Sequence, residues 1–255
     1  MSCSDLLNDT AHRHPQRPAL LSGGVSLSYA ELHARATRCA AGLLQQLAAQ
    51  GAGPGARIGI LMRNRWEYVV ALFAIARAGC VAVHLPARFA QGELDYALQK
   101  IPLQMLLLDA GLSVQAPGQA GLVLVPAEFG ADPGAGFSAM LECKEKLPAI
   151  PAVKADTAGA IMFTSGTTAA PKGAMLTHRS LLAAVAASTC SAVSTPSHRT
   201  ERRNCAASNA KKAAQKNSGT NDSSQCRPII FTLDKAANRP KGTAQATVKN
   251  RSDAS

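Results

Sequence analysis

The sequence predicts an α/β protein, with parallel-sheet layers covered by helices, followed by a disordered tail. Three observations carry this. Short, nearly continuous apolar runs alternate with segments whose apolar residues recur every three or four positions, the pattern of buried parallel strands between amphipathic helices. Hydrophobic residues make up 47% of the 255-residue chain and charged residues 17%. That suffices for a sizeable core and excludes a fully disordered protein or a small disulfide-stapled scaffold. Charge, finally, is unevenly placed: of the formal net +11, residues 1–187 carry +3 and residues 188–255 carry +8. The division at 187/188 therefore separates a structured region, 1–187, from a basic tail, 188–255.

In chain order, Ser28-Tyr-Ala-Glu31 is a capping-box pattern, a hydroxyl at the N-cap with a carboxylate three residues on. The stripe Leu32, Ala36, Cys39, Leu43 and Leu47 then forms one helical face, ended by the breaker Gly51-Ala-Gly-Pro-Gly55. Arg57–Met62 reads as a buried strand. A second helix, capped by Asn64 and Glu67, runs through Tyr68, Val69, Leu72, Phe73 and Ile75 to Gly79, and Cys80–Leu85 is a second strand. Strand, helix and strand in this succession form a βαβ unit. Glu93–Lys100 is the next helix; Met105–Leu108, Leu122–Val125 and Ala160–Phe163 are further strands, and 127–151 is loop-rich.

Seven cysteines at scattered spacings form no CxxC pair, which supports neither a zinc site nor a disulfide framework. Cys39 and Cys80 fall in apolar stretches as small core residues, and a reducing, cytoplasmic setting fits. Asp5 and Asp9 stand where a signal peptide would be basic and then apolar. The longest apolar stretch, 103–127, is interrupted by Asp109, three Gln, three Gly and two Pro, so stable membrane insertion is not expected.

The segment that carries chemistry is Phe163-Thr-Ser-Gly-Thr-Thr-Ala-Ala-Pro-Lys-Gly-Ala174. Small hydroxylated residues around Gly166 let backbone N–H groups approach an anion, the hydroxyls add donors, and Lys172 supplies a point charge for a phosphate. The run follows a strand directly, where α/β sheets place their ligands. It is not a Walker A loop, since Pro171 replaces the second Gly and Gly173 the Ser/Thr.

FTSGTTAAPKGAMLTHRSL closely resembles the signature loop of the AMP-forming adenylating enzymes, (Y/F)TSGTTGxPKGV followed by a Thr-His pair. RPAL with SYAEL, then PGARIGILMRNRWEYVVALFAIARAGCVAVHL, then ARFAQGELDYAL, resemble the successive upstream elements of that superfamily. The likeness covers roughly residues 5–187 and implies an incomplete N-terminal domain of the adenylate-forming fold. It also implies an ATP-dependent, Mg²⁺-assisted acid–thiol ligase: a carboxylic acid is activated to an acyl-adenylate and passed to a thiol, commonly that of coenzyme A. Carried over by position, Thr164, Ser165, Gly166, Thr167, Thr168, Lys172 and Gly173 match the phosphate-gripping loop, with Thr167, Thr168 and Lys172 as principal contacts. Lys172 is also the one candidate for an electrostatic role in catalysis. Ala169 departs from the family's Gly or Ser; a position requiring φ > 0 makes alanine cost on the order of 1–2 kcal/mol.

The family's adenine pocket, magnesium-binding acid, ribose-binding Asp and catalytic lid lysine have no counterpart after Leu182, so little or no turnover is expected of this chain alone. The abrupt change near Ala187 resembles a frameshift, an alternative exon or read-through, and a non-catalytic nucleotide-binding or regulatory fragment is the alternative. A third reading makes the tail a nucleic-acid-binding arm through Arg199, Arg202, Arg203, Lys211, Lys212 and Lys216. Against it, no aromatics interleave these charges, and a solvated tail is preferred. No nucleophile triad is discernible, because Ser165 has no neighbouring base. His178 reads as a structural histidine at a helix start, His84 as a partnered residue at a strand end, and Trp66 and Tyr68 as packing residues.

Overall fold

Two capping boxes start the first helices. The Ser2 hydroxyl accepts from the Asp5 N–H at 3.4 Å while Asp5 accepts from the Ser2 N–H at 2.6 Å, opening α1 (Cys3–Arg13). Ser28 and Glu31 make the same exchange, at 3.2 and 2.8 Å, at the head of α2 (Tyr29–Ala48). Such a cap satisfies two otherwise orphaned backbone donors. The predicted stripe Leu32, Ala36, Cys39, Leu43 and Leu47 is fully buried. Between the two helices, β1 (Pro18–Ser22) and β2 (Val25–Ser28) pair antiparallel. The computed structural model describes residues 2–22, 24–109, 111–112, 123–127, 136–146, 148, 152–164, 171–192 and 231–232.

The alternation expected of an α/β chain follows. It runs β3 (Arg57–Leu61), α3 (Trp66–Arg77), β4 (Val81–His84), α4 (Gln91–Lys100), β5 (Met105–Asp109), β6 (Val123–Ala127), α5 (Gly136–Leu141), β7 (Ala158–Thr164), β8 (Lys172–Thr177) and α6 (His178–Ala192). One six-stranded sheet has the order β6-β5-β3-β4-β7-β8. Its first five strands are parallel, and β8 returns antiparallel on β7 as the edge strand.

Successive residues of a strand face opposite sides, and this sheet covers both. Ile58, Ile60, Ala82, Met105 and Leu107 pack with α2 and α3 in one cluster. Leu61, Val83, Leu106 and Ile161 pack with Leu94, Ala97 and Leu98 of α4 in the other. Cys39 and Cys80 are free thiols in the core, as their sequence context predicts.

The structure departs from the sequence reading in several elements. Residue Arg65, not Asn64, is the N-cap of α3, and its side chain makes no capping bond; Glu67 lies within the first turn, ion-paired to Arg65 at 2.9 Å. A short helix, α5, lies inside the stretch read as loop-rich; Phe137 and Met140 bury beside α2. Helix α6 runs past residue 187 to Ala192. Finally, Phe231–Thr232 of the predicted tail form a two-residue strand, β9, parallel to β1. The remainder of the expected disordered tail, including the six basic residues named above, lies outside the described residues.

Candidate functional site

β7 runs beside β4 through the sheet and carries the chain to its carboxyl edge, where open α/β sheets hold ligands. The Phe163 ring stands edge-on to Phe89, with centroids 6.1 Å apart and planes at 72°, and the strand ends at Thr164. Ser165, Gly166, Thr167 and Thr168, with Ala169, lie outside the described residues. The chain re-enters at Pro171 and returns as β8, which pairs Lys172 with Thr164 and Gly173 with Phe163.

Of the seven residues expected to grip phosphate, the structure thus places three, on adjacent strands at the mouth of one hairpin. Lys172 and Gly173 belong to a strand rather than to the loop in which the sequence put them. Lys172 is exposed there. Gly173 has a steric reason to lack a side chain: a Cβ would stand 2.8 Å from Ile101 Cδ1, 3.3 Å from Ile161 and 3.7 Å from Phe163.

The same edge of the sheet carries a charge network that the sequence reading missed. Asp109 ends β5 with 2% of its side chain exposed. Its Oδ2 accepts from Arg63 Nε at 2.9 Å and its Oδ1 from Arg63 Nη2 at 3.0 Å, a two-pronged fork. The Gly111 N–H adds a bond at 3.0 Å and the Arg63 N–H one at 3.4 Å. Burial alone raises the Asp109 pKa; the fork and the two backbone donors more than offset this and hold the carboxyl below its ordinary value. Arg65 stands 3.8 Å away and binds Glu67. With two arginines matched to two acids, the cluster ties the ends of β3 and β5 together and adds no net charge to the edge. Its signal was available: arginines directly after one apolar strand, and an aspartate closing another.

His84 ends β4, with its Nδ1 hydrogen-bonded to the Tyr68 hydroxyl. Burial lowers the His84 pKa to about 4 and raises that of Tyr68 to about 12. His84 is therefore a neutral, partnered residue, and Tyr68 and Trp66 pack against the core, as the sequence predicts. His178 opens α6 at 1% exposure, and its Nδ1 accepts from the Cys3 N–H at 3.5 Å. Its ring lies 2.9 Å from where a Gly159 Cβ would be, which fits the structural role read from sequence. A groove of about 420 Å³, lined by Gly53, Arg57, Val81, Gln104 and Ala158, sits at the opposite, amino-terminal ends of the strands. It is separate from the hairpin mouth.

Comparison with known proteins agrees with this fold. Residues 7–208 match the family model described as AMP-binding enzyme. The chain is 36% identical over 173 residues to a feruloyl-CoA synthase of Amycolatopsis sp., covering 67% of this chain and 32% of that protein. It is 30% identical over 177 residues to surfactin synthase subunit 1 of Bacillus subtilis, covering 69% of this chain and 5% of that one. The chain therefore spans a third or less of these curated relatives. Among solved structures it is similar to O-succinylbenzoate coenzyme A synthetase from Bacillus subtilis in complex with AMP. The TM-score is 0.61 at 25% identity, covering 76% of this chain and 47% of that one. The N-terminal subdomain of Klebsiella oxytoca NpsA shares the fold, with a TM-score of 0.58 at 20% identity over 70% of this chain and 42% of that one.

Proposed function

The chain belongs to the AMP-binding enzyme family, and on that premise we propose that it takes part in the ATP-dependent activation of a carboxylic acid. In that reaction the carboxylate oxygen attacks the α-phosphorus, the bond to the β-phosphate oxygen breaks, and pyrophosphate leaves with the bonding pair. A thiol, that of coenzyme A in the acid–thiol ligase reading, then takes the acyl group and releases AMP. The contribution of this chain is to grip the β- and γ-phosphates through Thr164, Ser165, Gly166, Thr167, Thr168, Lys172 and Gly173, so that the leaving group is held and its charge balanced. The observation that carries the reading is the hairpin itself, which brings Thr164 opposite Lys172 at the carboxyl edge of the sheet and joins them by the Ser-Gly-Thr-Thr run.

Magnesium would travel with the nucleotide. Among the described residues no three His, Cys, Asp or Glu side chains converge to hold a metal, and Asp109 is engaged by Arg63 and Gly111. The free core thiols Cys39 and Cys80 support a reducing, cytoplasmic setting. No helix among the described residues is long and apolar enough to cross a membrane.

Lys172→Ala tests the reading. By titration calorimetry, ATP binding is expected to weaken about tenfold, the loss of one charge-assisted contact, with the circular dichroism spectrum unchanged. Equal affinity of the two proteins would remove Lys172 from the site. A second reading is nucleotide binding without turnover, which the β7–β8 hairpin alone would serve. Its signature is ATP binding that depends on Lys172 with no acid-dependent exchange of pyrophosphate.

A further inference from the structure

Helix α4 meets the hairpin at both of its own ends. Phe89 lies in the turn leading into the helix and is buried in the α4-side core. Its ring meets that of Phe163, the residue before Thr164 on β7. Ile101 is the C-cap of α4, its N–H bonded to the Ala97 carbonyl at 2.9 Å. Its Cδ1 would be only 2.8 Å from a Cβ on Gly173, the residue after Lys172 on β8. Each arm of the hairpin thus rests on one end of α4, and each resting point is the immediate chain neighbour of a residue assigned to phosphate. Strand alternation turns Lys172 away from the face on which Gly173 meets Ile101, so the height at which β8 lies on α4 sets where the ammonium group stands.

We propose that Ile101 and Phe89 are positioning residues for the phosphate-gripping hairpin, acting through Gly173 and Phe163. This rests on the ATP-binding reading above and adds a dependence that the loop sequence does not contain. A Cβ at 173 would stand 2.8 Å from Ile101 Cδ1, closer than real Cβ atoms approach other atoms, so something must shift. The obstructing atom is the far end of a side chain packed against the α4-side core, so the accommodation is shared between Ile101 and the strand.

The chemistry offers an economical rescue, because Ile101→Val deletes Cδ1, the obstructing atom, and little else. In the full chain, Gly173→Ala is expected to weaken ATP binding about tenfold, and adding Ile101→Val to recover most of that loss. In the nucleotide-free proteins, the Lys172 and Ala174 amides should exchange about tenfold faster in Gly173→Ala and return towards wild type in the double variant. A purely structural role would lower the melting temperature without moving the affinity or these amides. Loss of ATP binding that Ile101→Val does not rescue would mean that the effect lies in the phosphate contact of Gly173 and not in its seat on Ile101, and would overturn the proposal. Failure of the wild-type chain to bind ATP would instead overturn the functional reading; the exchange measurement then decides alone whether α4 sets the hairpin, and unchanged exchange refutes it. Should Gly173→Ala not fold, Ile101→Phe crowds the same space from the other side and is expected to give the same loss and the same faster exchange. Wild-type behaviour of Ile101→Phe would count against the contact.

Discussion

Arg63→Ala is expected to cost about 3 kcal/mol of folding stability, the low end of what stranding a buried charge costs. The reason lies in the asymmetry of the pair. Asp109 is 2% exposed, whereas Arg63 is 43% exposed. Removing the arginine takes both bonds of the fork from a carboxylate set in the fold, with two backbone N–H groups and the more distant Arg65 as its remaining support. Removing the aspartate instead leaves a half-exposed guanidinium that can hydrate. Asp109→Ala should therefore cost less than Arg63→Ala, and the double variant less than Arg63→Ala alone. Urea unfolding of the four proteins at pH 7 gives the comparison. The sign of the pH effect follows from the depressed Asp109 pKa. The stabilisation is fully present above the unfolded carboxyl value and is lost as pH falls through the lower folded value. The gap between wild type and Arg63→Ala should accordingly close in acid. A gap that persists, or a greater cost for Asp109→Ala, would mean that the network is not held by its buried charge.

His84 predicts a second large effect, at a different pH. Burial depresses its folded pKa to about 4 from an ordinary 6.5. Between those values the unfolded chain binds a proton that the folded chain refuses, so stability falls as pH is lowered through the window. Over the whole interval the loss amounts to about 3 kcal/mol. Burial also lowers the pKa of His33 and of His178, which add to the same trend. His84→Phe should flatten this part of the stability–pH curve while leaving the acid limb that belongs to Asp109. It also removes the partner of the Tyr68 hydroxyl, so its stability at pH 7 should be lower than wild type. An unchanged slope between pH 6.5 and 4 in His84→Phe would show that the histidine is hydrated in solution.

Local signals were legible in the sequence, and contacts made across the fold were not. The Ser28–Glu31 capping box and the stripe that follows it were read correctly because every part lies within one helix. The same box at Ser2–Asp5 is equally local. Strand β8 has no local signal, because lysine, glycine and alanine at its start carry little strand propensity. Its conformation comes from pairing with β7 at the sheet edge. α5 is one short helix in a polar stretch, and tertiary burial of Phe137 and Met140 supports it. For the candidate site, the Ser-Gly-Thr-Thr run and Lys172 could be found by residue type and spacing. The tie of Asp109 to Arg63 and the seat of Gly173 on Ile101 depend on how strands and helices are arranged in space, which no local pattern encodes.

Acid-dependent exchange of labelled pyrophosphate into ATP, measured on the purified 255-residue chain with a panel of aromatic and aliphatic acids, addresses acid activation most directly. Little or no exchange is expected of this chain alone; such exchange as occurs rises with one class of acid and is lost, together with ATP binding, in Lys172→Ala. Exchange that persists undiminished in Lys172→Ala, or a chain that neither exchanges pyrophosphate nor binds ATP while folded, would contradict the assignment of the β7–β8 hairpin as the phosphate grip.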